Sequence, residues 1–415
     1  PPAVRMLVLD AVEVDRGLRV ADENLFLLPG KEAVAGLLTD HLVQVLSRQP
    51  QLRVLSRLSS FLLTPEARPD GAGDPRATAD FVVAGRLTLI GTDASTASGV
   101  LGFELLERNS PDLCHAGRQP VRVADLLAGE SAGVHEAVRE IVTAIGDSQY
   151  TQARLQPVPN LPSHVILHSA IRGMHTRSEH QVDAARQMLQ ALTERHPRAS
   201  QPLSWLAKWH ILQAGQGGTA AHGPGHAEAL SLARKAVDLT GDDPLALTMH
   251  GIVLTHLVRD HAGGRTSLQQ ALAIEPSNAL ASLYMGALLC FTEPGPEALE
   301  HCRRALALAQ FDPTRYLYEG MMGTACFGVG DYLGAISHSR ESLRLNPRHA
   351  SSLRVLTMAL AFAGETDAAR QQAKAVLAIN PNFNRADYRA RFRDAPAELL
   401  DRFDQALAIA GIPDR

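Results

Sequence analysis

PTRYLYEGMMGTACFGVGDYLGAISHSRESLRLNPRHASSLRVLTMALAFAGETDAARQQAKAVLAINP, residues 313–381, places three prolines, Pro313, Pro347 and Pro381, 34 residues apart. Proline cannot donate the intrahelical hydrogen bond, so each one marks where a helix must stop. Going backwards, Pro276, Pro244 and Pro197 continue the series at spacings of 37, 32 and 47. A period near 34 residues predicts stacked helical hairpins, an architecture that usually binds partners rather than catalysing reactions.

Paired helices need small residues where they cross, because a larger side chain would push them apart. Gly173 precedes Ala185 by 12 residues, and the same interval separates Gly286 from Ala298 and Gly323 from Ala335. Pro197, Pro276, Pro347 and Pro381 each follow a second small residue (Ala185, Gly264, Ala335, Ala369) by 12. Ala229–Pro244 and Ala298–Pro313 are 15 apart, as if residues were added at the hairpin exit. These positions resemble those of the tetratricopeptide repeat. The spacing predicts six hairpins, at 163–198, 201–244, 245–278, 279–313, 314–349 and 350–383, within a solenoid region ending at 386. A Gly-rich insertion, AGQGGTAAHGPGH (214–226), falls inside the second. AELLDRFDQALAIAG (397–411) reads as a capping helix within a terminal segment, 387–415.

Composition agrees. Apolar residues make up 45% and aromatics 5%, which suits closely approaching helices rich in Ala and Leu. Net charge is −4, so no global basic field draws the chain to nucleic acid or anionic lipid. The longest apolar run, Ala279–Phe291, is shorter than the ~20 residues a membrane helix needs. Four scattered cysteines, Cys114, Cys290, Cys302 and Cys326, form no CxxC and read as free thiols of a reducing compartment. No signal peptide is visible. The chain opens Pro1-Pro2 without an initiator Met, which leads us to expect a fragment whose upstream effector is missing.

Residues 1–150 read as a small α/β domain, separated by a linker (151–162) from an all-α right-handed superhelix. VRMLVLDAVEV (4–14) and LRVLS (52–56) read as strands, ADFVVAGRLTLIG (79–91) and SGVLGFELLE (98–107) as a hairpin, and 32–48 and 124–146 as helices. The predicted layout is β-α-β-α-β-β-β-α. LTDHLVQVLSRQPQLRVLSRLSSF (38–61), ADFVVAGRLTLIG and the closing helix resemble, in that order, the TolB amino-terminal-like domain of bacterial signalling proteins. The opening strand lacks that family's Leu-Pro-Phe and Gly-Asp-Pro turn, which leaves the loop at 11–31 open. The tail, ending Ala410-Gly411-Ile412-Pro413, resembles the same family, in which this region sits behind a winged-helix DNA-binding domain or a class III nucleotide cyclase.

The resemblance implies a sensory, non-enzymatic interaction region, most often of a transcriptional regulator, with a cyclase regulatory region or a free-standing scaffold as alternatives. Several motifs read as structural. GESAG (129–133), with Ser131 central, lacks the flanking strands and oxyanion segment of a nucleophile elbow and reads as a polar turn. His222 and His226 are separated by Gly-Pro-Gly, which speaks against a shared helical face, so no metal is expected. Gly215-Gln216-Gly217 lacks the strand of a dinucleotide fingerprint, and no cofactor is expected. NRADYRARFRDAP (384–396) gathers Arg385, Arg389, Arg391 and Arg393 and reads as a solvated connector. The repeat register puts Met174, Arg177, Lys208, Met249, His256, Phe327, Arg354 and Met358 toward a concave groove for a protein or peptide partner, with self-association as an alternative and DNA reached only through the missing domain. The expected compartment is the cytoplasm, or the periplasm if a membrane helix lies upstream.

Overall fold

A computed structural model describes residues 5–9, 31–47, 52–54, 80–90, 97–107, 113–175, 178–215, 224–309, 312 and 314–415. The chain divides into two units, Pro1–Arg172 and Gly173–Arg415.

The first unit holds β1 (Arg5–Leu9), α1 (Lys31–Ser47), β2 (Arg53–Val54), β3 (Phe81–Ile90), β4 (Ser98–Glu107), β5 (Leu113–Arg122), α2 (Val123–Ala128) and α3 (Ala132–Leu155). Its sheet has the order β2-β1-β3-β4-β5, with β1 parallel to both neighbours and the β3-β4-β5 meander antiparallel. Alternation in β4 sends Leu101, Phe103 and Leu105 inward, where they join the buried face of α3 (Val134, Val138, Ile141, Ile145) and of α1 (Leu38, Leu42, Leu46). β5 carries Pro120, which cannot donate to a ladder and is tolerated because β5 is an edge strand. The second helix of the predicted layout, the loop at 11–31 and Ser59-Ser60-Phe61 lie outside the described residues.

The helix predicted over 124–146 is two helices. The chain turns at Gly129, whose φ of 72° suits a residue without Cβ. Ser131 sits at the position preceding α3, buried, with no capping hydrogen bond from its hydroxyl. The segment expected as a bare linker, 151–162, instead contains the end of α3 and a 3₁₀ turn, Val158–Asn160. α4 (Ser163–Met174) spans the division between the units. It is tied to α3 by an Arg172–Asp147 ion pair and by Ser169 Oγ donating to the Gln149 carbonyl at 3.4 Å.

The second unit is a tetratricopeptide-like helical solenoid. Its elements are α5 (Glu179–Arg195), α6 (Ser200–Gly215), α7 (Pro224–Thr240), α8 (Pro244–Val253), a π-helical turn Leu254–Val258, α9 (His261–Ile274), α10 (Ala279–Thr292), α11 (Pro296–Leu308), α12 (Arg315–Gly328), α13 (Tyr332–Leu345), α14 (Ala350–Phe362), α15 (Thr366–Ile379), α16 (Arg385–Arg391) and α17 (Ala397–Ile409). α6/α7, α8/α9, α10/α11, α12/α13 and α14/α15 pair as hairpins.

The small-residue crossings explain the pairing. A Cβ on Gly286 would lie 2.5 Å from Cys302 Sγ and 3.4 Å from the Ala298 carbonyl, and one on Gly323 would lie 3.3 Å from the Ala335 carbonyl. Gly251 and Gly264 approach each other in the same way across α8 and α9. Asp243, Asp260, Asn278 and Asp331 cap α8, α9, α10 and α13 through side-chain oxygens, each worth about 1 kcal/mol.

Two expectations need correction here. Gly225 and His226, expected in a loop, belong to the first turn of α7, because Pro224 at the first helical position forfeits no intrahelical bond. His222 lies outside the described residues. The arginine segment expected as a solvated connector is helical as α16, with Asn384 accepting from the Asp387 amide. It is held by ion pairs of Arg385 and Arg389 to Asp404 and Asp414, and by backbone bonds from Arg385 and Ala386 to Pro413 and Asp414.

Candidate functional site

α6 positions the first residue. Trp209 Nε1 donates to the Val182 carbonyl at 2.9 Å and so fixes the face of α6 that meets α5. One residue back, about 100° around the helix, Lys208 points inward. It is 1% exposed, donates to the Tyr284 hydroxyl and lies 4.1 Å from the centroid of that ring. Burial lowers the Lys208 ammonium to a pKa of about 7, against an opposing pull from Asp312.

The π-helical turn after α8 positions the second. Such a turn inserts one residue into a helix and re-aims the side chains beyond it. Here His256 is set edge-on against Tyr284, with ring centroids 5.5 Å apart and planes at 81°. Thr255 Oγ1 donates to the Ile252 carbonyl, so the 2.8 Å contact between Thr255 Oγ1 and His256 Nδ1 makes Nδ1 the protonated nitrogen. Burial, then Lys208, then Arg391, hold the imidazole at about 4, although part of the ring meets solvent. The turn ends at Arg259, a non-glycine residue with φ of 65°.

Around this pair the solenoid gathers further polar groups. His175 Nδ1 lies 3.1 Å from the Tyr316 hydroxyl, across 141 residues of chain. Burial and the charge of Lys208 lower His175 to about 3. Tyr316 is raised to about 12, mainly by burial. Asp312 accepts from the Thr314 amide at 2.7 Å, the Thr314 hydroxyl at 2.6 Å and the Tyr318 hydroxyl at 3.1 Å. On the far side of Tyr316, Ser352 donates to Ser342 and Ser342 to the Tyr316 carbonyl, so His349 Nδ1 donates to Ser352 at 2.8 Å. Burial, then Arg354, lower His349 to about 4. At neutral pH these three imidazoles are uncharged.

The structure therefore joins two of the sequence-predicted residues, Lys208 and His256, on a residue the sequence reading did not name, Tyr284. The signal was present: Tyr284 is the one phenol in a largely apolar helix, α10. Most of the other predicted residues do not line an open groove. Met174, Met249, Phe327 and Met358 are core residues. The reason is that the inner helices are covered on both sides. Ala281–Cys290 of α10 is buried all round, and Phe327 is stacked between Phe362 and Phe403 with Arg402 5.1 Å above its ring. Arg354 lies against Phe383 and Tyr388, 5.8 Å from each ring. Arg177 lies outside the described residues. Among the described residues, no group of three or more His, Cys, Asp and Glu could hold a metal ion, and no helix is long and apolar enough to cross a membrane. Cys290, Cys302 and Cys326 are buried thiols, and the half-buried Cys114 thiol donates to a Glu107 carboxylate oxygen at 3.9 Å. Two shallow surface grooves, of about 400 Å³ on α7 and 630 Å³ along α13, contain none of the predicted residues.

No family model and no curated protein matches the chain. Solved structures similar to it include the APC/C hetero-tetramer Cut9–Hcn1, at 16% identity and a TM-score of 0.44, covering 68% of this chain and 49% of that one. PilW, a widely conserved type IV pilus biogenesis factor, is 19% identical, with a TM-score of 0.37 and coverage of 50% and 91%. YrrB, a TPR protein with an unusual peptide-binding site, is 21% identical, with a TM-score of 0.31 and coverage of 43% and 92%. The chain spans about half the length of the Cut9–Hcn1 chain it matches.

Proposed function

We propose that this chain is a non-enzymatic sensory and protein-interaction region of a bacterial regulatory protein, coupled in the intact protein to a winged-helix DNA-binding effector. The observation that carries this reading is the inner cluster. Its ammonium, imidazoles and phenols come from the segment after α4 and from α6, the π-helical turn, α10, α12 and the loop opening α14. A ligand or partner that prefers one packing of these elements shifts the balance between packings by its differential affinity. The order of an α/β unit before a helical solenoid, together with the resemblance in the first unit to the TolB amino-terminal-like domain, supports the regulatory context.

The test uses the intact natural protein. Crosslinking with mass spectrometry in lysate of the source organism identifies what contacts the solenoid. Fluorescence anisotropy then measures DNA affinity with and without the captured partner. The expected result is specific DNA binding that the partner changes by about tenfold, a coupling on the order of 1.4 kcal/mol. Nucleotide cyclisation without specific DNA binding would replace this reading with that of a cyclase regulatory region. Neither activity would leave a free-standing scaffold.

A further inference from the structure

Residues 389–398 run from the last turn of α16 into the first turn of α17, and every one of them is exposed or half-buried. Their anchors lie on either side, at the buried Tyr388 and Leu399. Between the anchors, a short motif ties this crossing to the middle of the solenoid. Phe392 stacks on Phe291, with ring centroids 4.4 Å and planes 14° apart. Asp394 accepts from Arg259 Nη1 at 2.9 Å and faces His261 Nε2 at 3.7 Å, with its neighbour Arg393 3.8 Å from its other oxygen. The second Arg259 nitrogen donates to the Arg391 carbonyl at 2.9 Å.

The solenoid's half of this contact is unusual. Among the described residues, Arg259 is the one non-glycine with a positive φ, and it closes the π-helical turn. Such backbone is kept where its surroundings over-determine it, commonly at ligand clamps. What it clasps, by contrast, is general: a main-chain carbonyl, which any peptide offers, and a carboxylate three residues on. A solvent-open ion pair and one ring stack are contacts that a competing segment with the same groups can replace.

We propose that Arg259, His261 and Phe291 form a docking site for a peptide segment of the pattern aromatic-x-acid, and that the chain's own Phe392-Arg393-Asp394 occupies it as a displaceable latch. A partner segment sets its ring on Phe291, its carboxylate on Arg259 and His261, and the carbonyl preceding the ring on the second Arg259 nitrogen. Its apparent affinity is reduced by the fraction of chains in which the latch is seated.

This inference rests on the reading of the chain as a protein-interaction region and names the segment chemistry that such a region takes. The probe is a fluorescein-labelled peptide of residues 385–396, RADYRARFRDAP, titrated by anisotropy into the whole chain. Binding about tenfold tighter to the chain carrying Phe392→Ala with Asp394→Asn than to the wild type is expected, because the competitor is gone. Adding Arg259→Gln to that variant should weaken it about tenfold or more. So should Ala for Phe or Asn for the final Asp within the peptide, substitutions that leave the chain itself untouched and need no folding control. In the wild type, saturating peptide should raise hydrogen exchange across 389–398 of the chain. Equal affinity for the wild type and the latch variant, no binding to either, or binding indifferent to the peptide's Phe and Asp would overturn the site. A wild-type dimer that the peptide splits would replace the internal latch with exchange of this segment between two copies. A chain that fails these tests yet still captures its partner in lysate loses this inference and keeps the interaction reading.

Discussion

A proton on His175 or His256 would place a second positive charge beside Lys208, and a proton on His349 would do the same beside Arg354. All three imidazoles bind protons less readily in the folded chain than in the unfolded one. As pH falls below about 6.5 the unfolded chain takes up protons first, and stability is lost progressively toward about pH 4. Lys208 has the same sign at higher pH: lowered to about 7, it favours the fold more as pH rises from there toward its ordinary value. The upper bound is about 1.4 kcal/mol per site per pH unit; the exposure of His256 and partial solvent access to His175 and His349 reduce it. We expect a loss on the order of 1–2 kcal/mol between about pH 7 and pH 5.5, read from urea midpoints at the two values. His175→Gln should flatten the dependence, and a wild-type midpoint that does not move would contradict the enclosure of the cluster. At this scale the sequence reading named Lys208 and His256 but assigned Phe327, Met249 and Met358 to a surface they do not reach. Helical phase tells which way a side chain points; whether that direction is solvent or core depends on groups far along the chain, such as Arg402, which donates to the Phe327 carbonyl at 2.5 Å.

The five hairpins from α6/α7 to α14/α15 were legible because their constraint is local and repeated. A crossing tolerates only a small side chain, so Gly286 with Ala298 and Gly323 with Ala335 recur at one interval. Ala335→Leu is expected to overpack the α12/α13 crossing and cost about 1–3 kcal/mol in thermal or urea unfolding. An unchanged melting curve would reject that crossing. Two features of the elements were not legible. The π-helical turn at Leu254–Val258 has no composition of its own, since it is the one-residue excess of an otherwise ordinary helix. The start of α7 at Pro224 was hidden behind a Gly-rich stretch. β5, with Gly117 and Pro120, was counted in the predicted layout without bounds, and β4 supplies the hydrogen-bonding partner that fixes them.

In the second unit the ends of the solenoid meet its middle. Arg259 donates to Asp394 and to the Arg391 carbonyl, both at 2.9 Å, and Phe392 stacks on Phe291 with ring centroids 4.4 Å apart. The exposed ion pair contributes little, about 0–1 kcal/mol, so the stacked rings carry most of this contact. Phe392→Ala should therefore cost about 1–3 kcal/mol and raise hydrogen exchange across 385–395, whereas Asp394→Asn should change either by much less. Equal effects of the two would show that the stack is not the main tie. The proline period, the small-residue crossings and the strand alternation of β3 and β4 followed from the sequence by itself, because each arises from backbone sterics and side-chain volume within a few tens of residues. The closure of the inner face by α16 and α17, and the meeting of Lys208, Tyr284 and His256, were decided only by the tertiary structure. Those contacts join residues distant in the chain, separated by 76 positions between Lys208 and Tyr284 and by 132 between Arg259 and Arg391. No local periodicity encodes which distant surfaces cover one another; that is set by how the small twist at each hairpin accumulates along the solenoid.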